Sequence, residues 1–201
     1  MKSYPSIPDN YADFYGRKCI AFRKEDGSNL RFMWTAKNGW SMFGTRTRLF
    51  DHTDPLYSQA LPIFNEKYKE RLTWSIRHDK LFSGAKEVIM FAEFFGENSF
   101  AGEHIFEEPK TLKMFDINIG ARGFVDPFTF VEKFKHLDIP EIIYEGILTD
   151  DFCKRIRKGL EPRVFEGIVA KGGEKHNLWM VKCKSMLYLD KLKEKNNERT
   201  S

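Results

Sequence analysis

Short connections between strand-like segments are the feature that most limits how this chain can fold. Apolar, β-favouring runs occur at 19–23, 30–35, 40–45, 88–95, 112–119, 142–147, 164–171 and 178–184. Asn38-Gly39 lies between the second and third, a dipeptide that favours positive φ at both positions of a tight hairpin turn. Short links leave no room for crossover helices, so most neighbouring strands are expected to run antiparallel. Helical periodicity is confined to a few stretches. Leu61, Phe64, Tyr68 and Leu72 recur at spacings of three and four, which predicts a helix over 61–76 with Pro62 harmlessly in its first turn. Shorter helices are predicted at 128–134, from a Thr149 N-cap to 158 with Asp150 and Asp151 in its first turn and Gly159 beyond it, and from Ser185 to about residue 195. The head, 1–17, reads as turns and the tail, 196–201, as frayed. The predicted class is α+β, mostly antiparallel sheets with flanking helices, in a single domain over 1–201.

Composition matters through what it excludes. With 41% hydrophobic and 31% charged residues a core is expected and wholesale disorder is not. A net charge of +4 suits a polyanionic partner without requiring one. Cys19, Cys153 and Cys183 are far apart and form no CxxC, so neither a disulfide framework nor a cysteine zinc site is expected. No apolar run reaches about 18 residues and the first residues are no signal peptide, so the expectation is a soluble cytoplasmic protein with no membrane contact. No GxGxxG follows the first strand and no GxxxxGK[ST] occurs, so Rossmann and P-loop chemistry are unsupported.

Four segments carry chemistry. Lys24-Glu25-Asp26-Gly27-Ser28-Asn29 places a lysine at a strand end before an acid and a glycine. Such a lysine is a nucleophile once deprotonated, and the glycine permits a sharp turn and close ligand approach; the same segment also fits a charged turn. Glu166 precedes Gly167-Ile168-Val169-Ala170-Lys171 in an apolar run, where a carboxylate needs a partner, a metal or an edge position facing solvent. Lys182 and Lys184 share a strand face, either to hold a polyanion or as a solvated basic face. Glu93 shares a face with Phe91 and Phe95, where it suits ribose hydroxyls or a sheet rim.

Together these residues resemble the covalent nucleotidyltransferase superfamily of ATP-dependent RNA and DNA ligases and messenger-RNA capping enzymes. KEDGSN at 24–29 resembles motif I, Gly44-Thr45-Arg46-Thr47 the Arg-Thr segment after it, and Phe91-Ala92-Glu93-Phe94-Phe95-Gly96 motif III. Met114-Phe115-Asp116-Ile117 resembles motif IIIa, Glu166 to Lys171 motif IV, and Val181-Lys182-Cys183-Lys184-Ser185 motif V. The order is collinear and spans 24–185. KEDGS and the Asn29 position are similar to phage-type and nick-sealing RNA ligases, whereas DNA ligases and capping enzymes usually carry Arg or Lys where Asn29 stands.

The resemblance implies a nucleotidyltransferase (ATP-grasp-like) ligase domain that uses ATP and Mg²⁺, or Mn²⁺, to join the 3′-hydroxyl and 5′-phosphate ends of RNA or of a nicked duplex. Lys24 is then the nucleophile that takes AMP. Lys182 and Lys184 hold the α-phosphate and lower the pKa of Lys24, Glu166 approaches the metal, Glu93 and Arg46 contact ribose or phosphate, Phe115 stacks on adenine, and Asn29 lies in the nucleotide site. Arg48 and Lys171 are secondary candidates, for which solvent-facing roles fit equally. Only 17 residues follow Lys184, fewer than the OB-fold or helical domain of these families needs, so a protein partner supplying that domain is an expectation, as is self-adenylylation more efficient than sealing. A small ATP-dependent DNA ligase, a capping guanylyltransferase and a non-catalytic nucleotide- or RNA-binding module of the same fold remain rival readings.

Overall fold

The computed structural model describes residues 2–200, the side chains of 199 and 200 excepted. In chain order the strands are β1 Lys18–Lys24, β2 Ser28–Thr35, β3 Gly39–Thr45, β4 Leu49–Phe50, β5 Glu87–Gly96, β6 Lys110–Asn118, β7 Ile142–Ile147, β8 Gly167–Gly172 and β9 Trp179–Lys184. The helices are α1 Ala60–Phe64, α2 Glu70–His78, α3 Pro127–Phe134, α4 Asp150–Arg157 and α5 Met186–Thr200. Among the described residues every strand pairing is antiparallel, so the α+β class stands. No helix among them is long and apolar enough to cross a membrane.

The chain divides into two compact units. The first contains the residues up to Pro5 together with Asp26–Val125 and Thr129–Ile139. Its five-stranded sheet has the order β4-β3-β2-β5-β6. Period-two alternation sends Leu30, Phe32, Met90, Ala92, Phe94, Leu112 and Met114 to one face, where all are buried. Phe64 of α1 stacks on Phe32 with ring centroids 4.4 Å apart. The predicted 61–76 helix is interrupted: a π-helical turn, Asn65–Lys69, joins α1 to α2. The extra residue in that turn shifts the helical phase and keeps Phe64, Tyr68, Leu72 and Ile76 all buried. The Tyr68 hydroxyl lies 2.6 and 2.7 Å from the carbonyl oxygens of Leu112 and Asp138. The β2–β3 hairpin also departs from expectation. Gly39 alone takes positive φ, +64°, while Asn38 does not, and Asn38 N–H donates to Thr35 Oγ1. Thr35 pairs with Gly39, so a three-residue connection closed by a left-handed glycine replaces the two-residue turn.

The second unit contains Ser6–Glu25, Asp126–Phe128 and the residues from Pro140 onward. Its sheet has the order β7-β1-β8-β9. One face buries Ala21, Ile168, Ala170, Val181 and Cys183 together with Cys153 and Ile156 of α4. Thr149 caps α4 as expected, its Oγ1 accepting from Phe152 N–H, and Gly159 follows with φ +67°. All three cysteines are buried free thiols. Two boundaries differ from expectation. Val164–Glu166 precede β8 instead of belonging to it, because Val164 N–H closes a turn on Glu161. Ser185 does cap α5, accepting from Tyr188 N–H, but the helix continues through 200. Helix-favouring Lys191, Lys193, Glu194 and Lys195 and the Asp190–Lys193 ion pair support the turns that lead into this polar end. Ser201 lies outside the described residues.

The Phe32–Phe64 stack makes a stability prediction. Phe64→Ala should cost about 3–5 kcal/mol, the range for a buried aromatic truncation. Urea unfolding followed by fluorescence of Trp34 and Trp40, both in the first unit, measures it.

Candidate functional site

The second unit gathers the catalytic candidates by strand register. Gly167 on β8 pairs with Lys24 on one side and Lys184 on the other, so the two lysines flank a residue without a side chain. Glu166, the residue before it, fills that gap. Its Oε2 accepts from Lys24 Nζ and its Oε1 from Lys184 Nζ, each at 2.8 Å, and its side chain is only 3% exposed. The backbone is shaped for this. Gly167 has φ +152°, and a Cβ there would lie 2.2 Å from the Cys183 carbonyl oxygen. Ser185 N–H donates to the Glu166 carbonyl at 2.9 Å, and Ser185 Oγ–H to that of Phe165 at 2.5 Å. The apolar run 164–171 places Glu166 inside a strand; in the structure it stands instead in the turn that opens β8.

Lys182 lies two residues before Lys184 on the same sheet face and pairs with Val169. Unlike Lys184, it has no carboxylate within ion-pair distance among the described residues. Phe22 and Val169 are buried neighbours on this face. Lys171 belongs to it too, 6% exposed, with its Nζ 5.5 Å from the centre of the Phe22 ring. That burial removes the solvent-facing reading for Lys171.

The first unit holds the other candidates. Asn29 and Glu93 are register partners on the sheet face opposite Phe32 and the helices. Phe115 reaches this same face through a β-bulge. Ala92 pairs with Met114 and Phe91 with Asp116, so Phe115 is the extra residue. Strict alternation would hide one of Phe115 and Asp116, and the bulge presents both. Phe115 meets the Tyr4 ring edge-on at 4.9 Å, and Tyr4 also packs on Phe91 and Phe124. The Tyr4 hydroxyl donates to Asp116 Oδ2 at 2.5 Å. Burial, with the Asp116 carboxylate beside it, pushes the Tyr4 phenol well above its ordinary range. Arg46 is exposed in the β3–β4 turn, its carbonyl accepting from Ser3 Oγ–H. Arg48 is bound to Asp54 at 2.8 Å and lies over Tyr57.

Three residues of this face escaped the sequence analysis. Arg31 is buried between Asn29 and Met33 on the same side, with Nη1 donating to Ser3 Oγ at 3.0 Å. Counting by two from Asn29 would have found it. Asp116, 4% exposed, was named only as part of a motif. Tyr4 has no local signal, because its partner lies 112 residues away.

Among the described residues no cluster of three or more His, Cys, Asp or Glu side chains could cage a metal. A single carboxylate such as Glu166 fits a different arrangement, in which magnesium or manganese is shared between one protein oxygen, substrate phosphates and water.

No family model matches the sequence, nor does any curated protein. Solved structures do match in fold. A Naegleria gruberi RNA ligase with pyrophosphate has a TM-score of 0.66 at 17% identity over 96% of this chain and 58% of its own. A substituted form of that enzyme with ATP and manganese gives 0.67 at 17% identity, with the same coverage. An Aquifex aeolicus chain provisionally named an ATP-dependent DNA ligase gives 0.62 at 19% identity, over 94% of this chain and 51% of its own. The chain thus shares the ligase nucleotidyltransferase fold, and it spans little more than half the length of these structures.

The Tyr4–Asp116 contact predicts an alkaline instability. A phenol whose folded pKa is raised contributes stability that is complete below its unfolded value, about pH 10, and is lost as pH rises through the folded value. Tyr4→Phe should lose about 1.5–3 kcal/mol at neutral pH, the range for a hydrogen bond to a charged group. It should also decline less than wild type above about pH 10. Urea midpoints at neutral and alkaline pH measure both effects; equal alkaline slopes would contradict the assignment.

Proposed function

We propose that the chain is the adenylyl-transferring part of an ATP-dependent polynucleotide ligase that acts on RNA ends through a lysyl-AMP intermediate at Lys24. The arrangement of Lys24, Glu166 and Lys184 across three adjacent strands carries this reading. A solvated basic face does not need a nearly buried carboxylate between two ammonium groups. A site that exchanges one anion for another does.

In the first step Lys24 Nζ attacks the α-phosphorus of ATP. The N–P bond forms, the bond to the pyrophosphate oxygen breaks, and the lysine gives up its proton. An ammonium ion-paired to a carboxylate is no nucleophile, so the Lys24–Glu166 pair must open first. The triphosphate supplies the replacement anion for Lys184 and Lys182, which stabilise the charge that builds on the phosphoryl oxygens. Glu166, released from the lysines, is the residue that would hold a divalent cation, which supplies charge neutralisation on the phosphates. Phe115 is assigned to the base, with Glu93, Asn29 and Arg46 assigned to ribose or phosphate. AMP then passes from Lys24 to a 5′-phosphate end, and attack by a 3′-hydroxyl joins the ends and releases AMP.

Support for RNA ends comes from Asn29 in the KEDGSN segment. The fold shared with the Aquifex chain makes a DNA ligase the alternative outcome. Incubation with ATP and Mg²⁺ should yield an AMP adduct by intact mass, mapping to Lys24. Lys24→Ala and Lys24→Arg should both lack it, since a guanidinium stays protonated. Lys182→Ala and Lys184→Ala should each slow adduct formation on the order of 10²-fold, the scale of one lost charge-stabilising group. An adduct on another lysine, or near-normal rates in both variants, overturns the reading. Sealing of nicks ending in ribose against deoxyribose then separates RNA ligase from DNA ligase.

A further inference from the structure

The turn that follows Lys24 is held by a network that none of the chemistry above uses. Gly27 packs flat on β5: a Cβ there would lie 2.4 Å from the Phe94 carbonyl oxygen and 2.8 Å from Phe95 Cβ. On either side of it, Asp26 and Ser28 are held by the β5–β6 connection, residues 97–109. Asp26 Oδ2 accepts from Ala101 N–H at 2.8 Å, and Ala101 adopts φ +54°, unusual for a residue with a Cβ. Ser28 Oγ lies 2.8 Å from His104 Nε2, while His104 Nδ1 lies 3.1 Å from Ser99 Oγ. Ser99 Oγ already accepts from Gly96 N–H at 2.7 Å. The polarity that satisfies each group therefore runs from Gly96 N–H to Ser99, from the Ser99 hydroxyl to Nδ1, and from Nε2–H to Ser28.

The connection is itself cross-linked by polar contacts. Glu108 accepts from the Asn98 backbone and side-chain amides, and Lys110 Nζ binds both Glu108 and the Ile105 carbonyl. His104 faces Asp26 and Tyr57 from outside the connection and Glu108 and Lys110 from its C-terminal end. Burial first, then Lys110, lowers its pKa below the ordinary histidine range, which keeps one ring nitrogen available as an acceptor.

Strand alternation gives this network its consequence. Ser28 pairs with Phe94 and lies on the helix-side face, while Asn29 pairs with Glu93 on the opposite face. Fixing Ser28 from behind therefore fixes where Asn29 is presented. We propose that His104 is a positioning residue for adenylyl transfer: through Ser28 it sets the turn at 26–28 and the presentation of Asn29. This rests on the adenylyl-transfer reading.

Two readouts test it. Amide hydrogen exchange of the ATP-free protein reports the brace alone, and the rate of lysyl-AMP formation reports its use. In His104→Ala, exchange at 26–29 should quicken while β7–β9 stay unchanged. The kcat for AMP transfer should fall on the order of tenfold, as expected for one positioning hydrogen bond lost, with KM for ATP little altered. His104→Gln places its amide nitrogen where Nε2 stood and should restore much of the rate. His104→Asn reaches only toward Ser99 and should not. Ser28→Ala should match His104→Ala, and the double variant should cost no more than the worse single one. Unchanged exchange in His104→Ala, equal rescue by Asn and Gln, or additive losses would overturn the proposal. If His104→Ala does not fold, the Gln–Asn comparison decides. A wild-type chain that forms no adduct defeats the adenylyl-transfer reading, and with it the catalytic role given to His104, while the exchange measurement still decides whether the brace exists.

Discussion

Glu166 is the group on which the arrangement of the second unit depends. A carboxylate 3% exposed is costly unless its charge is met, and here two ammonium groups meet it from adjacent strands. That requirement sets the rest. Gly167 must lack a side chain so that β9 can approach, and the Ser185 bonds to residues 165 and 166 keep the carboxylate in the gap. One negative charge between two positive ones leaves the cluster with a net positive charge before Lys182 is counted. A polyanion entering it would meet cations that are already close and only partly exposed, and Glu166 would then need a cation of its own. On the proposed mechanism, Glu166 would then meet a divalent ion that arrives together with a phosphate-bearing substrate.

The first unit solves a different problem with the same period of two. Its sheet must bury one face against α1 and α2 and present polar groups on the other. Asn29, Arg31 and Glu93 follow from that alternation, and the bulge lets Phe115 and Asp116 both join them. Tyr4 and Ser3 then cover part of this face, the one through Phe115 and Asp116, the other through Arg31. A polar face built this way is costly unless its groups are satisfied, which explains why residues remote in sequence converge on it.

Local signals made much of this legible. Thr149 with Gly159 delimited α4, Ser185 started α5, and the strand runs located most of the two sheets. The candidate lysines and Glu93 were legible because strand alternation fixes a face without any tertiary information. The misses have physical reasons. The π-turn at Asn65–Lys69 leaves apolar spacing intact, so periodicity reads it as ordinary helix. Asn38-Gly39 permits two turn types, and tertiary context selected the one with a single positive φ. Glu166 sits one residue outside its strand because Gly167, not Val164, begins the pairing. Tyr4 and His104 act through contacts 112 and 76 residues away, and no local pattern reports those distances.

On the proposed reading, RNA and DNA ligases would differ in how they treat the sugar at the end to be joined. On the proposed mechanism the Glu166 cluster would meet phosphates, which RNA and DNA share, so it would not discriminate between them. The shared fold cannot either, since at 16–19% identity it joins this chain to structures named for both substrates. What differs chemically between the two is one hydroxyl on the ribose at the end to be joined. Discrimination therefore requires a polar group placed by the fold to meet that hydroxyl. A site built to hydrogen-bond a hydroxyl rejects the analogue lacking it far more strongly than an apolar pocket rejects an added one. The first unit's sheet face carries the polar side chains of Asn29, Arg31 and Glu93, whereas the second unit's face around Phe22 and Val169 is apolar between its lysines. If sugar specificity resides in this chain, its chemistry points to residues of the first unit, and to Asn29 before the lysines.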